Sequence, residues 1–270
     1  MPYFQKEHIL FLHIPKTGGT SIEQYFSKKY DISLNEASLF SSNTEHTMKD
    51  SDQQTYIIPY SLQHYTYQDI HRFRQQLGVD MDDLHILATV RNPYERCISD
   101  LFFFQLIHPH TSPEQVYVVL QTFVQSQKRD NHNVPQHRFL DGLPPTAKLS
   151  LLHTETLTED MHRLGFYDFQ ECANVNKKRV DDYYRYLNAD SIELINRVYD
   201  RDFTLFGYDK LSVEEHRHKE ATVIYKFILP FFLLFFFAGL IATHSFCTWV
   251  LPLTKMDCKT PTDLLRRMTP

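Results

Sequence analysis

The segment PKTGGTS, residues 15–21, carries a lysine, two adjacent glycines and three hydroxyl side chains directly after an apolar run. Glycines have no Cβ, so backbone N–H groups can converge there, and a helix that follows directs its positive end at the same point. The segment therefore predicts a phosphate site, with a tight strand-to-helix turn and a solvated lysine as the alternative. The predicted phosphate contacts are Lys16, Thr17, Gly18, Gly19, Thr20 and Ser21.

The order of residues in this segment bears on the kind of phosphate compound. In the common nucleoside triphosphate loop, GxxxxGK[ST], the lysine follows the last glycine and stands beside the hydroxyl residue that holds magnesium. Here Lys16 precedes both glycines. This order argues against a magnesium-dependent nucleotide kinase or hydrolase, which we keep as an alternative.

A second cluster, RNPYERCIS, occupies residues 91–99. Arg91 leaves a predicted strand at its carboxyl end, Pro93 begins a helix, and Ser99 follows about two turns later. Arg91 and Ser99 can then approach one anion, which predicts a second phosphate site. We expect Glu95 and Arg96 to be solvated or ion-paired. Together the two sites indicate a ligand with two separate phosphate groups, which ATP and GTP lack.

The elements that must position these clusters alternate between strand and helix. HILFLHI at 8–14 and DLHILATV at 83–90 are short apolar runs typical of buried parallel strands, and each precedes a turn and a helix-compatible stretch. Helices are predicted over 113–127 and 189–199, and the polar stretch 35–56 reads as a surface excursion. The fold class is therefore α/β.

Composition excludes some function classes. A net charge of −5 gives no overall basic field, so nucleic acid is not an expected partner. The four cysteines form no CxxC pair, and we find no metal-ligand pattern, so no metal is expected. The disulfide status of Cys97 and Cys172 stays open.

A hydrophobic segment lies near the carboxyl end. Residues 227–253 contain no charged side chain over 27 residues, enough to cross a bilayer as a helix. A buried core helix, a hydrophobic hairpin, or a stretch that is not native to the fold are the alternatives. Basic residues flank both sides, so the orientation in a membrane is undetermined.

The motifs HIPKTGGTS and RNPYERCIS resemble the two phosphate-binding motifs of sulfotransferases that use 3′-phosphoadenosine 5′-phosphosulfate (PAPS). The branch most similar is the carbohydrate type that includes the heparan sulfate 2-O-sulfotransferases, and the resemblance covers most of residues 8–210. It implies a P-loop-like central parallel sheet flanked by helices. It also implies that residues 16–21 bind the 5′-phosphosulfate, that Arg91 and Ser99 bind the 3′-phosphate, and that the acceptor is a hydroxyl group of a glycan.

The resemblance also implies roles in catalysis. Lys16 stabilises the leaving phosphate, and His64 in QHYTYQDI stands at a place similar to the histidine base of the family. Lesser candidates for the base are His132, His137 and Glu155, and the segment HNVPQHR is either an acceptor-site loop or a solvated turn. The basic run Lys177, Lys178 and Arg179 is either a nucleotide contact or a solvated face. A binder that is tethered to a membrane and transfers nothing is a further alternative.

These inferences give the predicted organisation of the chain. Residues 1–210 form the sulfotransferase domain, 211–223 a linker, 224–253 a transmembrane segment and 254–270 a tail. The chain is expected to cross a membrane once, in the Golgi or another endomembrane. The side of the membrane on which the catalytic domain lies is undetermined. Family members carry their anchor before the domain, whereas here the hydrophobic segment follows it.

Overall fold

The computed structural model describes residues 2–35, 39, 45–126, 129–170 and 182–223. Its strands are β1 (Tyr3–Phe4), β2 (Ile9–Leu12), β3 (His46–Lys49), β4 (Thr55–Ile58), β5 (His85–Val90) and β6 (Lys148–His153). Its helices are α1 (Gly19–Tyr30), α2 (Tyr67–Leu77), α3 (Pro93–Phe103), α4 (Pro113–Gln125), α5 (Leu157–Arg163), α6 (Ala189–Val198), α7 (Asp200–Phe206) and α8 (Val213–Val223).

The main sheet has the strand order β1-β2-β5-β6. β2, β5 and β6 run parallel, with Leu12 opposite Ala88 and Val90 opposite His153, while β1 pairs with β2 in the antiparallel direction. The predicted parallel sheet is thus confirmed, with one antiparallel strand added at its edge. Because β2 and β5 end at the same edge of the sheet, the segments that follow them begin close together.

Helices cover both faces of this sheet, as the resemblance implied. Alternate residues of β2 point to opposite faces, so Leu10 and Leu12 pack in one cluster with Phe73 of α2. Phe11 packs in a second cluster on the other face, with Phe26 of α1. A third cluster forms among α3, α4, α6 and α7. The first two clusters therefore pack on opposite faces of the central strands β2 and β5, from whose ends the two motif segments leave.

Helix starts follow local chemistry. Pro93 is the first residue of α3, and the Asn92 side chain accepts a hydrogen bond of 3.0 Å from the Tyr94 N–H. The predicted helices at 113–127 and 189–199 are confirmed within two residues at their ends. The prediction for 35–56 was wrong in part, because β3 and β4 form an antiparallel hairpin. Met48 of this hairpin packs into the core.

The chain divides into two compact units, Met1–Glu214 and Glu215–Pro270. The first contains the sheet. In the second, the described residues 215–223 are helical. Among the described residues no helix is long and apolar enough to cross a membrane. The predicted segment 224–253 and tail 254–270 lie outside the described residues, as does Cys172.

Candidate functional site

The predicted phosphate loop, residues 15–21, leads from β2 into α1 and has an unusual backbone. Lys16 has φ of +64° and Gly18 has φ of +84°, so the chain turns twice through the left-handed region before α1 begins at Gly19. Among the residues that the structure describes, no side chain caps the amino end of α1, and no acidic residue lies in the first turn of this helix. The positive end of the helix is therefore open to an anion, which supports the predicted phosphate site.

The hydroxyl residues of the loop differ in their surroundings. Thr17 is buried, and its hydroxyl is bonded to the Ile14 carbonyl at 2.7 Å and to the Thr89 hydroxyl at 2.6 Å. The bond to Thr89 ties the loop to β5, so this side chain holds the loop in place and its hydroxyl is engaged within the protein. Thr20 is exposed and Ser21 is buried at the start of α1.

Lys16 lies over an aromatic ring at the rim of the site. Its Nζ is 4.4 Å from the centroid of Phe103, the last residue of α3. Burial lowers the pKa of Lys16, Asp100 opposes this shift and Arg91 adds to it. A partly dehydrated ammonium binds an incoming phosphate strongly because little further water must be removed.

Arg91 joins the second motif to the first. Its Nη1 donates to the Lys16 carbonyl at 3.4 Å, its Nη2 pairs with Glu95 at 2.9 Å, and its guanidinium lies 4.8 Å from the Tyr183 ring centroid. The Arg91 Nε is buried and has no hydrogen-bond partner within the described part of the chain. An orphaned buried donor of this kind fits a site for an anion. Ser99 lies half-buried within the first two turns of α3.

His64 ends a short turn, Leu62–His64, and is buried. Its Nδ1 is 2.8 Å from Asp130 Oδ2, and burial lowers the pKa of His64 to about 4, although Asp130 opposes the shift. Burial alone would raise the pKa of Asp130, but hydrogen bonds from His64 and Ser61 hold it below its usual value. An ionised Asp130 fixes the proton of neutral His64 on Nδ1, and Nε2 keeps its lone pair as a base.

The loop that carries Asp130 has its own strained backbone. Asp130 and Asn131 both adopt positive φ, at 48° and 61°, which these two residue types tolerate best among those with a Cβ. Asp130 accepts from the Ser61 hydroxyl at 3.0 Å, and Asn131 Nδ2 donates to the His64 carbonyl at 3.0 Å. The loop and the turn that carries His64 are thus bonded directly to each other.

Two further histidines flank His64, each paired with its own carboxylate. His13 Nδ1 lies 2.5 Å from Glu23 and its ring centroid 5.3 Å from that of His64. His132 Nδ1 lies 2.6 Å from Asp100 and its ring centroid 5.0 Å from that of His64. His132 also stacks on Phe103, at 5.1 Å between centroids. Lys16 and His64 are therefore linked through the rings of Phe103 and His132, since Lys16 lies over Phe103 and His64 contacts His132.

The phosphate loop also makes room for this cluster. A Cβ built on Gly19 would lie 2.8 Å from two atoms of the His13 ring. Gly19 is thus required by the close approach of a histidine, in addition to any approach of a phosphate. Its neighbour Gly18 is required by its positive φ.

A comparison with known protein families identifies the family of this chain. A family model described as the Sulfotransferase family matches residues 3–209, which is most of the chain. The chain belongs to the sulfotransferase family. No curated protein and no solved structure matches it. The predicted enzyme class is confirmed at the level of the family, and sulfuryl transfer is its general chemistry. The heparan sulfate 2-O branch stays a prediction.

Arg96 of this sulfotransferase contradicts its prediction. It was expected to be solvated or ion-paired, yet it is 1% exposed and donates to three backbone carbonyls. Nε bonds Pro15 at 3.0 Å, Nη1 bonds Val134 at 2.9 Å and Nη2 bonds His132 at 2.7 Å. Arg96 therefore ties the phosphate loop to the loop of Asp130 and His132. Glu95, by contrast, is ion-paired with Arg91 as expected.

The lesser candidates separate into three groups. His132 lies beside His64, as described above. His137 is buried and bonded through Nδ1 to Asp202 at 2.6 Å, whereas Glu155 accepts from the Asn92 N–H and the Tyr208 hydroxyl, both at 2.9 Å. Those contacts give His137 and Glu155 structural roles. The basic run at 177–179 lies outside the described residues.

The expectation that the chain has no metal-ligand cluster needs a correction. Within the described ranges, His64, Asp130 and His132 bring their ligand atoms within 4.8 Å of one another. The sequence concealed this cluster because its first member is more than sixty positions from the others. Likewise, Asp100 and Asp130 could not be assigned as partners of histidines from spacing alone.

Proposed function

We propose that this sulfotransferase transfers the sulfuryl group of PAPS to a hydroxyl group of a carbohydrate. One observation carries the proposal: neutral His64, bonded to Asp130, contacts the ring of His132, which stacks on Phe103, and the Lys16 ammonium lies over that Phe103 ring. A proton acceptor and a cation for the leaving group are the two requirements of an in-line transfer, and these contacts support the assignment of His64 and Lys16 to them.

Each residue of the site has a separate role in the proposed transfer. His64 Nε2 accepts the proton of the acceptor hydroxyl, whose oxygen forms the new bond to sulfur. The bond between sulfur and the bridging oxygen breaks, and the electron pair stays on the phosphate. Lys16 and the open end of α1 stabilise that negative charge, while Asp130 stabilises the imidazolium that forms on His64.

The choice of PAPS over ATP rests on the second cation. Arg91 contacts the phosphate loop through the Lys16 carbonyl and keeps a buried Nε donor without a described partner. A ligand with a 3′-phosphate separate from its 5′-phosphate group supplies an acceptor for that donor. The carbohydrate acceptor rests on the resemblance.

A binding experiment on the full chain tests the nucleotide. Calorimetric titration with 3′-phosphoadenosine 5′-phosphate should show binding that Arg91→Ala weakens, because a charged donor to the 3′-phosphate is lost. Arg197→Ala, which removes an exposed arginine on α6, is the matched control. Preferential binding of ATP with magnesium would favour the kinase or hydrolase alternative instead.

A transfer assay tests the chemistry. Mass spectrometry of a panel of oligosaccharides incubated with PAPS should reveal sulfated products. His64→Asn keeps a donor toward Asp130 but removes the base, so turnover should fall about 10²-fold or more while the bisphosphate still binds. His71→Asn, an exposed histidine on α2, should leave turnover unchanged. Binding without any transfer would favour the non-catalytic binder.

A further inference from the structure

The three potential ligands around the base come from two separate segments of the chain. His64 ends one turn, whereas Asp130 and His132 lie on one loop, and their ligand atoms fall within 4.8 Å of one another. Both histidines are buried, and their rings meet edge to face. Two imidazoles and one carboxylate are a ligand set that zinc uses when it keeps an open fourth position.

We infer that His64, Asp130 and His132 form a zinc-binding site and that zinc bound there inhibits the enzyme. The binding stands on the arrangement of the three side chains. The inhibition rests on the proposed function, because it requires His64 to be the base. The nucleotide loop takes no part in holding the ion.

The surroundings of His132 prepare it as a ligand. Its Nδ1 is bonded to buried Asp100 at 2.6 Å, which leaves Nε2 as the nitrogen available to a metal. A carboxylate behind a histidine is the usual outer contact of a zinc ligand, since it fixes the ring and raises its basicity. Asp130 and Asp100 together supply two negative charges against the two positive charges of the ion. Lys16 interacts electrostatically with Asp100, and its positive charge opposes the binding of a cation nearby.

The distances require only local movement. Zinc with bonds of about 2.0–2.1 Å holds tetrahedral ligands about 3.3 Å apart. His64 Nδ1 and Asp130 Oδ2, at 2.8 Å, are already close to this value, and the remaining donor closes from at most 4.8 Å by side-chain rotation. The backbone of the loop stays in place because Arg96 holds the His132 carbonyl at 2.7 Å.

Inhibition follows whichever nitrogen of His64 binds the ion. A metal at Nε2 uses the lone pair that would accept the proton of the acceptor. A metal at Nδ1 takes the place of the proton shared with Asp130, and that proton moves to Nε2, which then cannot accept another. In both cases the imidazole keeps one proton and no oxidation or reduction occurs. Magnesium and calcium should bind poorly, because they prefer a larger set of oxygen ligands.

Binding is measured first and independently of activity. Full-length protein, cleared of metal by a chelator, is titrated with zinc chloride in competition with a fluorescent zinc indicator. We expect one tight equivalent. Asp100→Asn should weaken it about 10–100-fold, as loss of an outer contact does, and His132→Gln should weaken it at least as much. His71→Gln controls for weak binding by exposed histidines. Circular dichroism of each variant checks that it is folded.

Initial rates of sulfuryl transfer with and without zinc give the second readout. Saturating zinc should lower the rate about 10²-fold, the usual contribution of a general base, and a chelator should restore it. In His132→Gln, the same zinc concentration should leave the transfer rate equal to the rate of that variant without zinc. Magnesium chloride at equal concentration should have no such effect.

The outcomes separate this inference from the proposed function. A folded protein that binds no tight zinc, or a tight site that persists in folded His132→Gln, would refute the metal site. Tight binding at the cluster with an undiminished rate would refute the inhibition. If no sulfuryl transfer is found under any condition, the proposed function fails, while zinc binding that depends on His132 still supports the site.

Discussion

Replacement of Arg96 by lysine should destabilise the protein strongly although the charge is kept. The guanidinium reaches three carbonyls in two segments with three separate nitrogens, and it is almost wholly buried. A single ammonium nitrogen cannot span all three, so about two charged hydrogen bonds are lost. At about 1.5–3 kcal/mol each, the free energy of unfolding should fall by about 3–6 kcal/mol.

Urea denaturation followed by circular dichroism measures this loss. The corresponding fall in melting temperature is about 6 °C or more for a unit of this size. Arg197→Lys, at an exposed site on α6, should change the free energy of unfolding by less than about 0.5 kcal/mol. A loss below about 1 kcal/mol for Arg96→Lys would refute the view that Arg96 joins the two loops, since even one lost charged bond should exceed it.

Three other predictions concern the site and its surroundings. Burial lowers the pKa of His64 to about 4, and the base acts as the neutral imidazole. We therefore expect kcat/KM of the metal-free enzyme to stay level as the pH falls through the usual histidine range and to decrease only near pH 4. A decrease near the ordinary histidine pKa would contradict this. Gly19→Ala should cost about 1–3 kcal/mol through overlap with His13, and a double variant with His13→Ala should lose less than the sum of the two single variants; additive losses would exclude the overlap. Burial raises the pKa of the Cys97 thiol to about 12, so peptide mapping after treatment with a thiol reagent should find it labelled only once the protein unfolds, and rapid labelling of the native protein would contradict its burial.

The parts of the fold that follow local rules could be predicted from sequence. β2 and β5 were predictable because each is a short apolar run before a turn, and α3 because Pro93 marks its start. β6 was missed: KLSLLH is short, mixes polar and apolar residues, and follows a loop marked by glycine and proline. Its strand character comes from pairing with β5, a contact between distant residues that no local pattern carries.

The residues of the site likewise divide into those that a local sequence pattern predicts and those that depend on contacts between distant residues. The motifs PKTGGTS and RNPYERCIS could each be identified because the residues within a motif are close in sequence, and the phosphate contacts of Lys16 and Arg91 stay predictions. The role of Thr17 was predicted only in part, since whether its hydroxyl faces a ligand depends on Thr89 in another strand. Arg96 was misjudged because its partners are backbone carbonyls, which have no signature in the sequence.

The three clustered histidines show which physical difference favours one of them as the base. Each has a carboxylate at Nδ1, so hydrogen bonding does not distinguish them. The carboxylates differ: Glu23 and Asp100 are 1% exposed, while Asp130 is 22% exposed. The three imidazoles are almost equally buried, at 7%, 8% and 6% exposed, so the difference lies in the carboxylate alone. The partly exposed Asp130 makes the His64–Asp130 pair the one of these three that solvent, and a metal ion from solution, reaches most readily, which favours His64 independently of the family resemblance.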